Sequence, residues 1–104
     1  MDTIAERVLE LRTESGSFEV RVLVGKPEPD PLGDWTCPYE IRWGETVQGM
    51  ATHGVDSMQA LQLTLATLDV ELRYVANFPK GELYHLDEPF VSILENGGLR
   101  PKKP

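Results

Sequence analysis

Two runs of alternating apolar and polar residues flank Ser15-Gly16 in "VLELRTESGSFEVRVLV". A period of two is the mark of a half-buried strand, and a Ser-Gly pair between two such runs suits a two-residue hairpin turn. Placing Glu14 opposite Ser17 pairs Leu11 with Val20 and Leu9 with Val22 on one face. The other face then sets Arg12 against Glu19 and Glu10 against Arg21. Each such pair contributes a few tenths of a kcal/mol or more. An amphipathic helix through Ile4, Val8 and Leu11 would explain none of the charge pairing, so a hairpin is predicted over residues 5 to 25.

Next comes "KPEPDPLGD", residues 26 to 34, where three prolines fix φ and remove donors. It is predicted to be a stiff connector. In "WTCPYEIRWG" the alternation returns, with Trp35, Cys37, Tyr39, Ile41 and Trp43 on one face. Pro38 puts that part of the strand at an edge or bulge. A turn through Gly44-Glu45-Thr46 leads into "VQGMATHG". Facing Trp43 with Val47 sets Ile41 against Gly49, Tyr39 against Ala51 and Cys37 against His53.

Beyond Gly54 the period changes. Met58, Leu61, Leu65, Leu68, Leu72 and Val75 recur at three- and four-residue steps, one apolar stripe over about five helical turns. Leu63, Val70 and Tyr74 form a second apolar patch on roughly the far side. Asp56 is a good N-cap, and Gln59 three residues later completes a capping box. The helix is predicted to end near Asn77, ahead of Pro79. A Lys80-Gly81 turn and a short fifth strand, Glu82 to Leu86, follow. "DEPFVSILENGG" reads as a short helix with Pro89 in its first turn and Asn96-Gly97 as its stop. The expected architecture is α+β: an antiparallel sheet of two β-hairpins and a fifth short strand, one long helix packed on it, and a short C-terminal helix. Residues 1–99 form one domain in this reading and 100–104 a basic flexible tail.

Composition narrows the roles. Ten basic against 17 acidic residues give a net charge of −7, which phosphate backbones and anionic lipid surfaces repel. Nucleic-acid and membrane roles are therefore not expected. No apolar run approaches a membrane span and no secretory segment follows Met1, so a cytoplasmic location is expected. Cys37 is the single cysteine and can form no intrachain disulfide.

Candidate chemistry is sparse. "GVDSMQAL" looks like the serine attachment site of a carrier protein, and Ser57 at a helix N-terminus suits a phosphodiester. Carrier domains are all-helical, however, and strands precede this motif; capping by Asp56 and Gln59 accounts for it without a cofactor. Cys37 and His53, opposite one another in the expected register, could form a thiolate–imidazole pair on an aromatic-lined face with Trp35 and Trp43. The bland reading makes Cys37 a small core residue and the tryptophans core packing. Cys37, His53 and His85 lack the spacing of a metal site. No glycine-rich phosphate loop is present, and no cofactor is expected.

"GDWTCPYEIRWG" and "GVDSMQALQLTLATLDVEL" in that order resemble a family of small uncharacterised bacterial proteins, a domain of unknown function. There a Trp-x-Cys-Pro-aromatic strand precedes a Gly-x-Asp-Ser-x-Gln-Ala-Leu helix start. The likeness covers residues 18 to 75. It implies a bacterial, cytosolic protein and carries over no catalytic role. The expected function is a non-enzymatic protein-interaction domain, either self-associating as a homodimer through Leu63, Val70 and Tyr74 or binding a protein partner. An immunity- or antitoxin-like role fits by analogy of size and charge. The alternatives are a small ligand-binding module or enzyme using Cys37 and His53, and a carrier modified at Ser57.

Overall fold

The computed structural model describes residues 1–77 and 80–95. Strands β1 (Thr3–Thr13) and β2 (Gly16–Gly25) form the first hairpin. Its turn is Glu14-Ser15, one position earlier than expected, so Thr13 pairs with Gly16, Leu11 with Phe18 and Leu9 with Val20. Two local features fix that choice. Gly16 adopts φ 133°, open to glycine, and Thr13 Oγ1 donates to the Gly16 carbonyl (2.9 Å) while accepting from Ser15 N–H (3.2 Å). The expected register is therefore wrong by two residues. A slip of two leaves every side chain on its expected face, and Leu9, Leu11, Val20 and Val22 are all buried.

The charge pairs change with the register. Glu10 stands opposite Glu19, and the arginines reach their partners along and across the strands instead. Arg21 pairs with Glu6 (2.5 Å) and Glu19 (3.3 Å), and Arg12 with Glu10 and Asp87. An arginine long enough to find a carboxylate in either register does not select between them.

After a two-residue strand β3 (Glu28–Pro29), β4 (Trp35–Trp43) and β5 (Thr46–Gly54) make the second hairpin. Gly44, at φ 54°, takes the first central position of a two-residue turn and closes Trp43 directly onto Thr46. The expected three-residue turn is corrected to two, and an odd slip exchanges the faces of β5. Ile41 meets Gln48, Tyr39 meets Met50 and Cys37 meets Thr52, while His53 lies opposite Thr36.

Helix α1 (Ser57–Asn77) follows. Asp56 Oδ1 accepts from Gln59 N–H at 2.7 Å, and Gln59 Oε1 accepts from Val55 N–H at 2.8 Å. A Cβ on Gly54 would lie 2.4 Å from Ala60 N, so only glycine lets the chain turn from β5 into the helix here. The buried line of α1 is Ala60, Thr64, Leu68, Leu72 and Val75, with Leu61 and Leu65 partly buried beside it and Met58 exposed. The stripe is rotated from the expected one because Thr64 can face inward. Thr52 donates to the Ala60 carbonyl (2.8 Å) and shares a hydrogen bond with Thr64 Oγ1 (2.7 Å), and Thr64 also lies 3.3 Å from the Cys37 carbonyl, so the buried Thr64 hydroxyl is satisfied.

Strand β6 (Glu82–His85) pairs with β1 through Glu10, Leu11 and Arg12, joining the main sheet. The short helix expected from Pro89 is not formed. Leu86 and Asp87 both take positive φ, 52° and 66°, as a two-residue turn that closes His85 onto Glu88, and β7 (Glu88–Pro89) is an edge strand. Phe90 N–H donates to the Leu83 carbonyl (2.9 Å), and Ile93 N–H to Asp69 Oδ1 (2.5 Å). Irregular chain, with Phe90 and Ile93 half-buried on the core, thus takes the place of the expected helix. Asn96-Gly97 and the tail 100–104 lie outside the described residues.

The resulting fold is α+β. The sheet runs β5-β4-β2-β1-β6-β7, with β3 against Trp35 and Thr36 of β4. One face carries Leu9, Leu11, Val20, Val22, Val24, Cys37, Tyr39, Ile41 and Leu83 against α1. The other carries ion-paired arginines and glutamates around Leu23, which is itself buried.

Candidate functional site

The side of the molecule formed by β5 and the outer flank of α1 is the least finished part of the fold. β4 residues 39 to 43 pair with β2 on one side and β5 on the other, so β5 is an outer edge. Among the described residues β5 pairs with nothing else. Its free side presents a row of backbone donors and acceptors, the feature that invites another strand. The opposite end of the sheet is blunted by the two-residue β7 with Pro89, and β3 is equally short and carries Pro29. β5 has nine residues, no proline and no Asp, Glu, Lys or Arg. Met50, at its centre, is 73% exposed.

Helix α1 lies over β4 and β5. With Leu68 at the centre of its buried face, the 100° step per residue places Thr64, Glu71 and Ala60 on the side toward β5. Beyond Thr67, the side chains of Tyr74 and Leu63 come next around the same side, and Val70 lies nearly opposite Leu68, facing away from the sheet. Tyr74, Leu63 and Val70 are 73%, 43% and 53% exposed. An unpaired strand edge and an apolar helix shoulder therefore adjoin. Tyr74 also reaches a cavity of about 500 Å³ with Leu11, Phe18, Trp43, Gln48 and Val75.

Beneath the shoulder, Tyr39 Oη donates to Glu71 Oε1 at 2.8 Å, tying β4 to α1. Glu71 Oε2 is buried and has no hydrogen-bond partner among the described residues. Burial first, then the hydrogen bond to Glu71 and its charge, push the Tyr39 phenol up to about 12.

The structure separates the residues of the expected thiolate pair. Cys37 is fully buried on the helix face, its thiol 3.5 Å from the Gly25 carbonyl. His53 is exposed on the opposite face, because its partner is Thr36 and not Cys37. The pairing of Cys37 with His53 is thus corrected by the one-residue change in register. His85 stands on β6, where burial and then Arg7 lower its pKa. Among the described residues no three His, Cys, Asp or Glu side chains stand close enough to share a metal ion. Trp35 and Trp43 are half-buried against the core at the two ends of β4. The aromatic-lined face does hold a cavity, but it lies at the Trp43 end, without Cys37 or His53. Ser57 is exposed at the first turn of α1, behind five strands and outside any all-helical bundle. The open edge of β5 escaped the reading of the sequence, although the charge-free run that marks it is legible there.

These features define a small α+β domain whose one long helix packs on an antiparallel sheet and leaves a strand edge and a helix shoulder uncovered. The chain belongs to the DUF6968 family, a domain of unknown function, whose model matches residues 5–92. No curated protein matches it. No solved structure matches it either. Among the described residues, no helix is long and apolar enough to cross a membrane.

Proposed function

We propose that this protein is a non-enzymatic protein-interaction domain that works through the outer shoulder of α1. The observation that carries this reading is the exposed row Leu63, Val70 and Tyr74 on a helix whose other side already fills the core. A helix apolar on two sides has one face too many for its own sheet, and protein contact is the ordinary use of the second. Tyrosine on such a face supplies a large apolar body with a polar tip, the composition favoured at contact centres.

The test is the native mass of the tagged chain, drawn gently from its own host's lysate, beside that of a Val70→Glu/Tyr74→Glu variant. Both substitutions fall on exposed positions, so the variant should fold normally by circular dichroism. Wild type should run as an assembly, and the variant as a monomer. A wild type that is monomeric, or an assembly that the variant keeps intact, would overturn the reading.

A further inference from the structure

The edge of β5 adds something the helix shoulder alone does not: a geometry for the contact and an occupant. We propose that a second copy of this chain pairs with the first, β5 against β5, antiparallel about a two-fold axis near Met50, giving one continuous sheet with both α1 helices on the same side. The proposal rests on the reading of the α1 shoulder as a contact face.

Three observations select a second copy. The first is charge. Each copy carries −7, so two copies repel across most of their surfaces. Thr46–Gly54 is free of Asp, Glu, Lys and Arg, and a self-paired strand needs that, since any charge near a two-fold axis meets its own sign. The second is self-complementarity. An axis at Met50 sets Gln48 of one copy against Thr52 of the other and Gly49 against Ala51. Polar then meets polar on the helix side, and on the other face small meets small while Val47 stands against His53. Nine residues at about 3.4 Å each offer roughly 30 Å of ladder.

The third is the position of the helix. Strands spaced at about 4.8 Å would put β5 and β4 roughly 2.4 and 7 Å from the axis. A helix straddling them lies about 5 Å out, and its copy about 10 Å away, close to the 8–10 Å at which helices pack. Ala60, Thr67 and Tyr74 line the flank that faces the copy, with Leu63 at its upper margin and Val70 outside the contact. Edge and helix flank are thus closed by one operation, and the free backbone groups of β5 and its exposed Met50 are covered together.

The decisive experiment uses charge at the axis. The purified full chain, Met50→Lys, Met50→Glu and an equal mixture of the two variants are compared by sedimentation equilibrium. Met50 is largely exposed in one copy, so unchanged thermal melts should show that both variants fold. Wild type should be a dimer. Each variant alone should dimerise roughly 100-fold more weakly, because like charges then face each other across the axis. The mixture should recover a dimer containing one of each. In wild type, the β5 amides should exchange more slowly with solvent than in Met50→Lys. A monomeric wild type would overturn the proposal, as would a dimer that both variants retain. If the variants stay dimeric while Val70→Glu/Tyr74→Glu dissociates, pairing through β5 falls and the contact role of the shoulder stands. If wild type is monomeric alone but assembles with another host protein through the shoulder, the second copy is excluded as occupant and the interaction reading stands.

Discussion

Replacing Tyr39 with phenylalanine removes one oxygen and almost no volume, and it strikes the polar link between sheet and helix. Tyr39 is 3% exposed, and its hydroxyl is the partner of Glu71 Oε1, while Glu71 Oε2 already lacks one. Tyr39→Phe therefore leaves a carboxylate beneath α1 with neither oxygen hydrogen-bonded among the described residues. Hydrogen bonds to charged groups contribute about 1.5–3 kcal/mol, and the substitution should cost that much near neutral pH with no cavity term. The same pair predicts a pH dependence. The phenol is raised from 10.0 to about 12, so the folded state favours the neutral form. That contribution is fully present below pH 10 and is lost as the pH rises to about 12. A difference of about two units at 1.36 kcal/mol each makes the loss roughly 3 kcal/mol. Urea unfolding of wild type and Tyr39→Phe at several pH values from 8 to 12 measures both effects. The variant should be less stable at pH 8, and the gap should close through the alkaline range as wild type alone loses this contribution. Equal stability at pH 8, or two curves that stay parallel to pH 12, would refute the argument.

Two further outcomes follow from the helix start and the buried thiol. Asp56→Ala removes the acceptor of the Gln59 N–H bond and should lower stability by about 1 kcal/mol in chemical denaturation; an unchanged midpoint would show the cap to be dispensable. Cys37, fully buried, should resist alkylation by iodoacetamide in the native protein and react readily once unfolded. Fast native alkylation would mean that the core at β4 opens far more often than its packing implies.

What the sequence discloses here is faces, and what it conceals is register. In β1 and β2 the period-two pattern assigns Leu9, Leu11, Val20 and Val22 to the core whether the hairpin turns at Ser15-Gly16 or at Glu14-Ser15, because a two-residue slip preserves the pattern. The turn is decided by Thr13 hydrogen bonds and the φ of Gly16, which hydropathy does not contain. β4 and β5 show the harsher case. One residue fewer in the turn moves His53 to the far side of the sheet from Cys37, and a chemical hypothesis depended on that single position. The helix is legible in extent because Gly54, Asp56 and Gln59 act locally at its start. Its rotation is not, because Thr64 counts as polar until Thr52 is seen to satisfy it. Pro89 fits both a first helical turn and an edge strand for the same reason, its missing donor. The non-glycine turn at Leu86-Asp87, which decides between them, has no strong turn signature in sequence.

The open edge is legible in a different way, through what is missing. Proteins guard long edge strands with lysine, proline or brevity. β3 and β7 are two residues long and each contains a proline, while β5 has nine residues and neither a proline nor a charge. An unguarded edge in a chain with 27 charged residues points to pairing as its use. On the proposed pairing, the flank of α1 beside β5, where Tyr74 and Leu63 are exposed, would face the added strand and its helix.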